Sequence, residues 1–249
     1  MILYKYVSYE TAKIISKTPG LRFSPSDSFN DLFETSCHFF KDYKTEEIFG
    51  EFNRENALRR YGMLCLSRSP INQLMWAHYC KDDVNGLHSG AVIGIDVEKA
   101  GLKSVGNLLI PVQYGSVIYT ATKPDYNYKD SYSDSLFSGD ASAFSSVDLE
   151  ALQRVFLHKH SSWGYEEEIR AVKRLEENGP YIYQIPADAI VDVTFSYGLD
   201  FGDHADSLFD IFKTNLPNCV PYLCFPDKKT WQLDRVTYEK YISLAQGEN

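Results

Sequence analysis

The stretch Trp163-Gly164-Tyr165-Glu166-Glu167-Glu168-Ile169-Arg170-Ala171-Val172 decides how this chain is read. It follows a run of helical pattern from Leu149 to His160, with Asp148 placed to cap that helix. Its own pattern is that of a strand. Successive side chains of a strand face opposite ways, so Glu166, Glu168 and Arg170 share one face, and Tyr165, Glu167 and Ile169 share the other. Residues two apart on that face lie roughly 6.5–7 Å from each other, at about 3.3 Å of rise per residue. Glutamate is depleted in strands, so two carboxylates and a guanidinium in a row need a reason. Two reasons are open. The row is the wet outer face of an edge strand, whose charges discourage edge-to-edge pairing, or it is a site.

The segments around it set the fold class. Ile2–Val7 alternates as a short strand, Ser8 is placed to cap a helix over Tyr9–Lys17, and Thr18-Pro19-Gly20 stops it. Leu21–Ser24 and Met63–Ser67 read as strands, and Ile71–Cys80 has helical spacing with Leu74, Ala77 and His78 together. Between them, Asn30-Asp31 carries turn chemistry and residues 45–60 look helical. Ala91–Asp96 is apolar enough to be covered on both sides. One or two strands follow within Leu108–Tyr119. Residues 123–147 turn to Ser, Asp and Tyr, the composition of an insertion or lid. Strands at Tyr181–Ile185, Ala189–Phe195, Val220–Phe225 and Trp231–Thr237 surround a helix near Asp203–Thr214. This order predicts an α+β fold, one domain over 1–249.

Composition narrows the function classes. The 249 residues carry a net charge of −9, and 44% are hydrophobic. That argues against broad nonspecific nucleic-acid binding, which needs a basic footprint, but leaves a locally basic cleft open. Five cysteines form no CxxC pair and no zinc spacing, as free thiols in a reducing compartment would. The N-terminus lacks a signal-peptide pattern, and no stretch approaches the 18 apolar residues a membrane span requires. The expected address is the cytosol. No G-x-G-x-x-G after a strand, P-loop, G-x-S-x-G or H-E-x-x-H occurs, and no metal centre is expected.

Short motifs recur in a fixed order: LYKY at 3–6, FND-x-FE at 29–34, CLS at 65–67, LMWAHY at 74–79, G-x-x-x-G-x-D at 90–96 and K-x-x-x-W-x-x-E-x-E-x-R at 159–170. On these the chain resembles a bacterial family catalogued as domain of unknown function 2971, with Leu32 where that family usually has proline. The layout also looks like that of ADP-ribosyltransferases, with their split mixed sheet and flanking helices. That resemblance implies nicotinamide adenine dinucleotide (NAD) as substrate, Glu168 as the catalytic glutamate with Glu166 as its partner, Ser67 on the middle strand, and Lys5 or Tyr6 on the first strand. It also implies ADP-ribosyl transfer to a macromolecular acceptor, protein or nucleic acid, or NAD hydrolysis, and a toxin or antiphage role. The family's first-strand Arg or His and full Ser-Thr-Ser run are missing; Ser67-Arg68-Ser69 is only close.

The chemistry gives each candidate two readings. Cleaving a nicotinamide–ribose bond builds positive charge on the ribose, which a fixed carboxylate stabilises. Neighbouring carboxylates push one pKa up, while Arg170 pulls both down. Trp76 and Tyr79 either pack in the core or stack on a nicotinamide or adenine ring; His78 meets a backbone carbonyl or bonds ribose or phosphate. Arg68 is a surface residue or a pyrophosphate ligand, for which its forked donors suit. Two rival functions stand beside the transferase. One is a nuclease holding magnesium on Asp96, Glu166 and Glu168; the other is a non-catalytic sensor or protein-binding module.

Overall fold

The computed structural model describes residues 1–31, 33, 59–81, 90–104, 108–123, 153–176, 181–196 and 203–246. The sequence-based expectations for a helix over 45–60, for a lid at 123–147 and for the cap at Asp148 fall almost wholly outside these residues.

Strand β1 (Ile2–Val7) lies at the middle of an eight-stranded sheet. On one side it pairs antiparallel with β5 (Ala91–Asp96), from Ile2↔Asp96 to Val7↔Ala91. Beyond β5 come β10 (Ile190–Ser196), β11 (Val220–Pro226) and β12 (Leu233–Thr237), with only the β10–β11 pairing parallel. On its other side β1 meets β4 (Tyr61–Ser67) at the single pair Tyr4↔Ser67. The far half of β4 pairs on that side with β3 (Ser24–Pro25), and its opposite side carries β8 (Glu168–Arg174) along its whole length. The fold is α+β with a mixed, mostly antiparallel sheet. The sheet is stitched only loosely between β1 and β4, and the Lys5 ammonium donates into that gap, to the Cys65 carbonyl at 2.9 Å.

Helices cover both faces. Helix α1 (Tyr9–Lys17) starts where the Ser8 hydroxyl accepts from the Thr11 amide, and it buries Tyr9, Ala12, Ile15 and Ser16 at helical spacing. It packs beside α3 (Asp203–Asn215), whose Leu208 and Phe212 join Leu3, Leu64, Leu66, Ile93, Ile169 and Ala171 in the main core. The opposite face carries α2 (Gln73–Tyr79), capped by the Asn72 side chain and anchored by Trp76 against Tyr6, Val92 and Cys224. A helix that the sequence pattern left unassigned, α4 (Tyr238–Ala245), closes the described chain. Two short pairings stand apart: β2 (Gly20–Arg22) with β9 (Ile182–Gln184), and β6 (Ile118–Thr120) with β7 (His158–His160). Among the described residues no helix is long and apolar enough to cross a membrane.

Two expectations are corrected here. The helix expected up to His160 is helical over residues 153–156, and His158–His160 is strand, paired in parallel with β6. The strand expected from Trp163 begins only at Glu168, because Ser161–Glu166 winds into a 3₁₀ turn. Its residues favour that turn: Ser161, Ser162 and Gly164 are turn formers, and the His160 ring accepts from the Ser162 amide. Nor is β8 a wet edge. Residues 108–117 run along its outer side, with Val172 exchanging hydrogen bonds with Ile110, and Arg170 N–H donating to Gly115 at 2.8 Å. Gly115 is required there, since a Cβ would fall 1.8 Å from the Arg170 carbonyl oxygen. Glu168 to Val172 are all buried.

Candidate active site

Four charged side chains converge where β7 hands over to β8. Lys159 sits in the middle of β7 with its ammonium buried, and reaches Glu166 Oε2 at 2.6 Å and Glu168 Oε2 at 3.3 Å. Arg170, fully buried, closes a two-point fork on Glu168: Nε to Oε1 at 2.8 Å and Nη2 to Oε2 at 3.0 Å. Its remaining Nη1 donates to the Phe156 carbonyl. Glu166 accepts a further bond from the Tyr79 hydroxyl at 2.7 Å. Between the two acids, Glu167 takes the left-handed conformation (φ 45°), uncommon for a residue with a side chain. That kink brings Glu166 and Glu168 to one ammonium although they belong to different elements. Sequence alternation put both carboxylates on one face; they do meet, but through a turn.

The environment separates their acidities. Burial pushes Glu168 up, but Arg170 and Lys159 together outweigh it and hold the carboxyl at about 2. Burial also raises Glu166, Lys159 lowers it and Glu168 raises it again; it ends above its ordinary value. Burial pushes the Tyr79 and Tyr119 hydroxyls well up as well, so both serve as neutral partners. Tyr119 accepts from the Glu168 backbone amide at 2.9 Å. The Cys65 thiol, hydrogen-bonded to Glu168, is raised by burial and stays a thiol.

This cluster forms one wall of a cleft of about 510 Å³ that opens where β1 and β4 part. Of the residues expected from sequence, Lys5, Tyr6, Ser67, His78, Tyr79, Glu166 and Glu168 line it. Three do not. Trp76 is buried in the core on Tyr6, its indole N–H donating to the Pro70 carbonyl. Arg68 points away to the Ser116 hydroxyl at 2.8 Å, and Arg170 lies behind Glu168. Tyr6 is largely committed to structure: its hydroxyl donates to Ser69 O and accepts from the Asn72 amide. Tyr4, Ser67 and Glu168 stand in register across three neighbouring strands.

Sequence reasoning gave no role to Lys159, Lys81 and Tyr119. Lys159 was already visible as the first residue of the K-x-x-x-W-x-x-E-x-E-x-R pattern; its placement inside a helix hid it. Asp96 is not with the two glutamates. It ends β5, three strands across from β8, at least about 14 Å away at about 4.8 Å per strand, and two residues along from the row of Glu168. There it accepts from the Glu98 amide. Among the described residues no three His, Cys, Asp or Glu side chains are grouped as metal ligands.

Residues 75–171 match the model of a family described as a protein of unknown function (DUF2971), the family that the motifs resemble. That match takes in α2 from Met75 onward, Lys159, both glutamates and Arg170, while β1 and Ser67 lie outside it. No curated protein and no solved structure matches the chain.

Proposed function

We propose that the cleft binds NAD and cleaves its nicotinamide–ribose bond, passing ADP-ribose to a macromolecular acceptor or to water. The observation that carries this reading is the row Tyr4–Ser67–Glu168, set across three strands beside the parting of the sheet and facing one cleft, with Tyr4 in the first-strand place that the resemblance gave to Lys5 or Tyr6. Charge supports it. The protein carries −9 overall, yet among the described residues Lys5 and Lys81 line this cleft in addition to the cluster of Lys159 with the two glutamates. A locally basic lining in an acidic protein suits an anionic ligand such as a dinucleotide.

In this reading the bond from ribose C1′ to the nicotinamide nitrogen breaks, and its electron pair leaves with nicotinamide. The cation left on the ribose is stabilised by Glu168, whose charge is fixed by Arg170 and needs no reorganisation. The nucleophile adds to C1′ and loses its proton. Glu166, above its ordinary pKa and oriented by Tyr79, is the carboxylate suited to receive it.

A single measurement decides: nicotinamide release from NAD by the purified chain. Turnover should fall by about 100-fold or more in Glu168→Gln, and less in Tyr79→Phe. One observation favours a second reading, a ligand sensor without turnover: both Glu168 oxygens already accept hydrogen bonds from Arg170 or Lys159. Its signature is a saturable rise in thermal stability with NAD and no nicotinamide released.

A further inference from the structure

A second cavity, of about 610 Å³, adjoins the first, and the two share Asn30 and Lys159 as a common wall. Alternation along β7 explains how one strand serves both. Lys159 points inward to the glutamates, whereas its neighbours His158 and His160 line only the second cavity. That cavity pairs aromatic rings with cations: Lys159 Nζ lies 4.8 Å from the Trp163 ring centre, and Lys123 Nζ 5.1 Å from that of Phe33. Among the described residues its lining holds Lys123, His158 and His160 beside one carboxylate, Asp31, while Lys159 is already bound to the two glutamates. Rings flanked by cations suit a ligand that is planar and carries negative charge. An aliphatic or acidic peptide side chain would use only half of this chemistry.

We propose that the second cavity is an acceptor-side subsite for a nucleotide, its base against Trp163 or Phe33 and its phosphate toward Lys123 and His160. The role as acceptor side rests on the NAD-cleaving reading; the binding itself does not. A transferase needs two adjoining sites that meet at the reacting carbon, and the shared Lys159 wall stands beside both glutamates.

The test is tryptophan fluorescence of the full chain, titrated with adenosine monophosphate and, separately, with a short single-stranded oligonucleotide bearing a 5′-phosphate. Saturable quenching is expected, and it should vanish in Trp163→Phe. Lys123→Ala and Phe33→Ala, both at exposed positions, should weaken binding by about tenfold while leaving NAD hydrolysis by water unchanged. Tighter binding of the oligonucleotide than of the monophosphate identifies a nucleic-acid acceptor, and the reverse a free nucleotide. Absence of quenching by either ligand, or wild-type affinity in both Lys123→Ala and Phe33→Ala, overturns the subsite. If NAD is still cleaved then, the donor reading stands alone. Nucleotide binding without NAD cleavage would leave the subsite standing and remove its role as acceptor side.

Discussion

Two acid–base groups, one buried and one half-buried, lie on the same face of the sheet, and they are built differently. At one, Arg235 on β12 meets Asp192 on β10 and donates to the Thr194 hydroxyl at 2.7 Å, one base for one acid. Its guanidinium lies 3.6 Å from the Tyr222 ring centre and 5.7 Å from that of Tyr4. Gly94 leaves the space, since a Cβ there would stand 2.5 Å from an Asp192 oxygen. Neither Asp192 nor Arg235 lines the candidate cleft. At the other, two acids share Lys159, only one of them also holds Arg170, and both face the cleft. The single pair has the economy of a structural fastening. The double acid separates one carboxyl held low from one pushed up, the arrangement that assigns different proton roles to two like groups.

The comparison breaks or sharpens through four variants. The largest effect belongs to Arg170→Met. It leaves Glu168 buried with Lys159 as its charged partner, and should cost about 3–5 kcal/mol in urea unfolding. Arg235→Ala comes next. Losing charge-assisted bonds at a site that is partly exposed should cost about 1.5–3 kcal/mol, without altering the pH profile of any activity in the cleft. Should that profile shift, the two groups are one system.

The third prediction concerns acid. Glu168 is depressed in the folded state to about 2, so its stabilisation is complete above the ordinary carboxyl range and lost as pH falls from about 4.5 toward 2. Unfolding midpoints of the wild type should drop across that window, and those of Glu168→Gln should drop less. Glu166 has the opposite sign. Its raised pKa means stability is gained as pH falls through the folded value toward the ordinary one. Glu166→Gln should therefore be the mildest variant near neutral pH, and should lack that gain. A Glu166→Gln protein as unstable as Arg170→Met would show the two acids to be equivalent, and the contrast with Asp192 would lose its meaning.

How much was legible beforehand follows from the range of each interaction. The strand at Ile2–Val7, the Ser8 cap, and the apolar runs at Met63–Ser67 and Ala91–Asp96 rest on local alternation and capping, and the structure has them at those places. His158–His160 was misassigned because three residues carry too little pattern; their strand exists through pairing with Ile118–Thr120, some 40 residues earlier in the chain. Trp76 and Tyr79 sit three apart on one helix, yet one fills the core and the other the cleft. Spacing alone could not divide them, because the division depends on Tyr6 and Glu166.

The sequence by itself determined that two glutamates and an arginine fall at alternating positions late in an α+β chain, since alternation and composition are properties of neighbours. Only the tertiary structure decided that those charges are dry. Burial came from residues 108–117 covering the outer edge of β8, from a left-handed turn at Glu167, and from a lysine delivered by another strand. Those contacts join distant segments, and a carboxylate's acidity is set by what lies within a few ångströms of it in space.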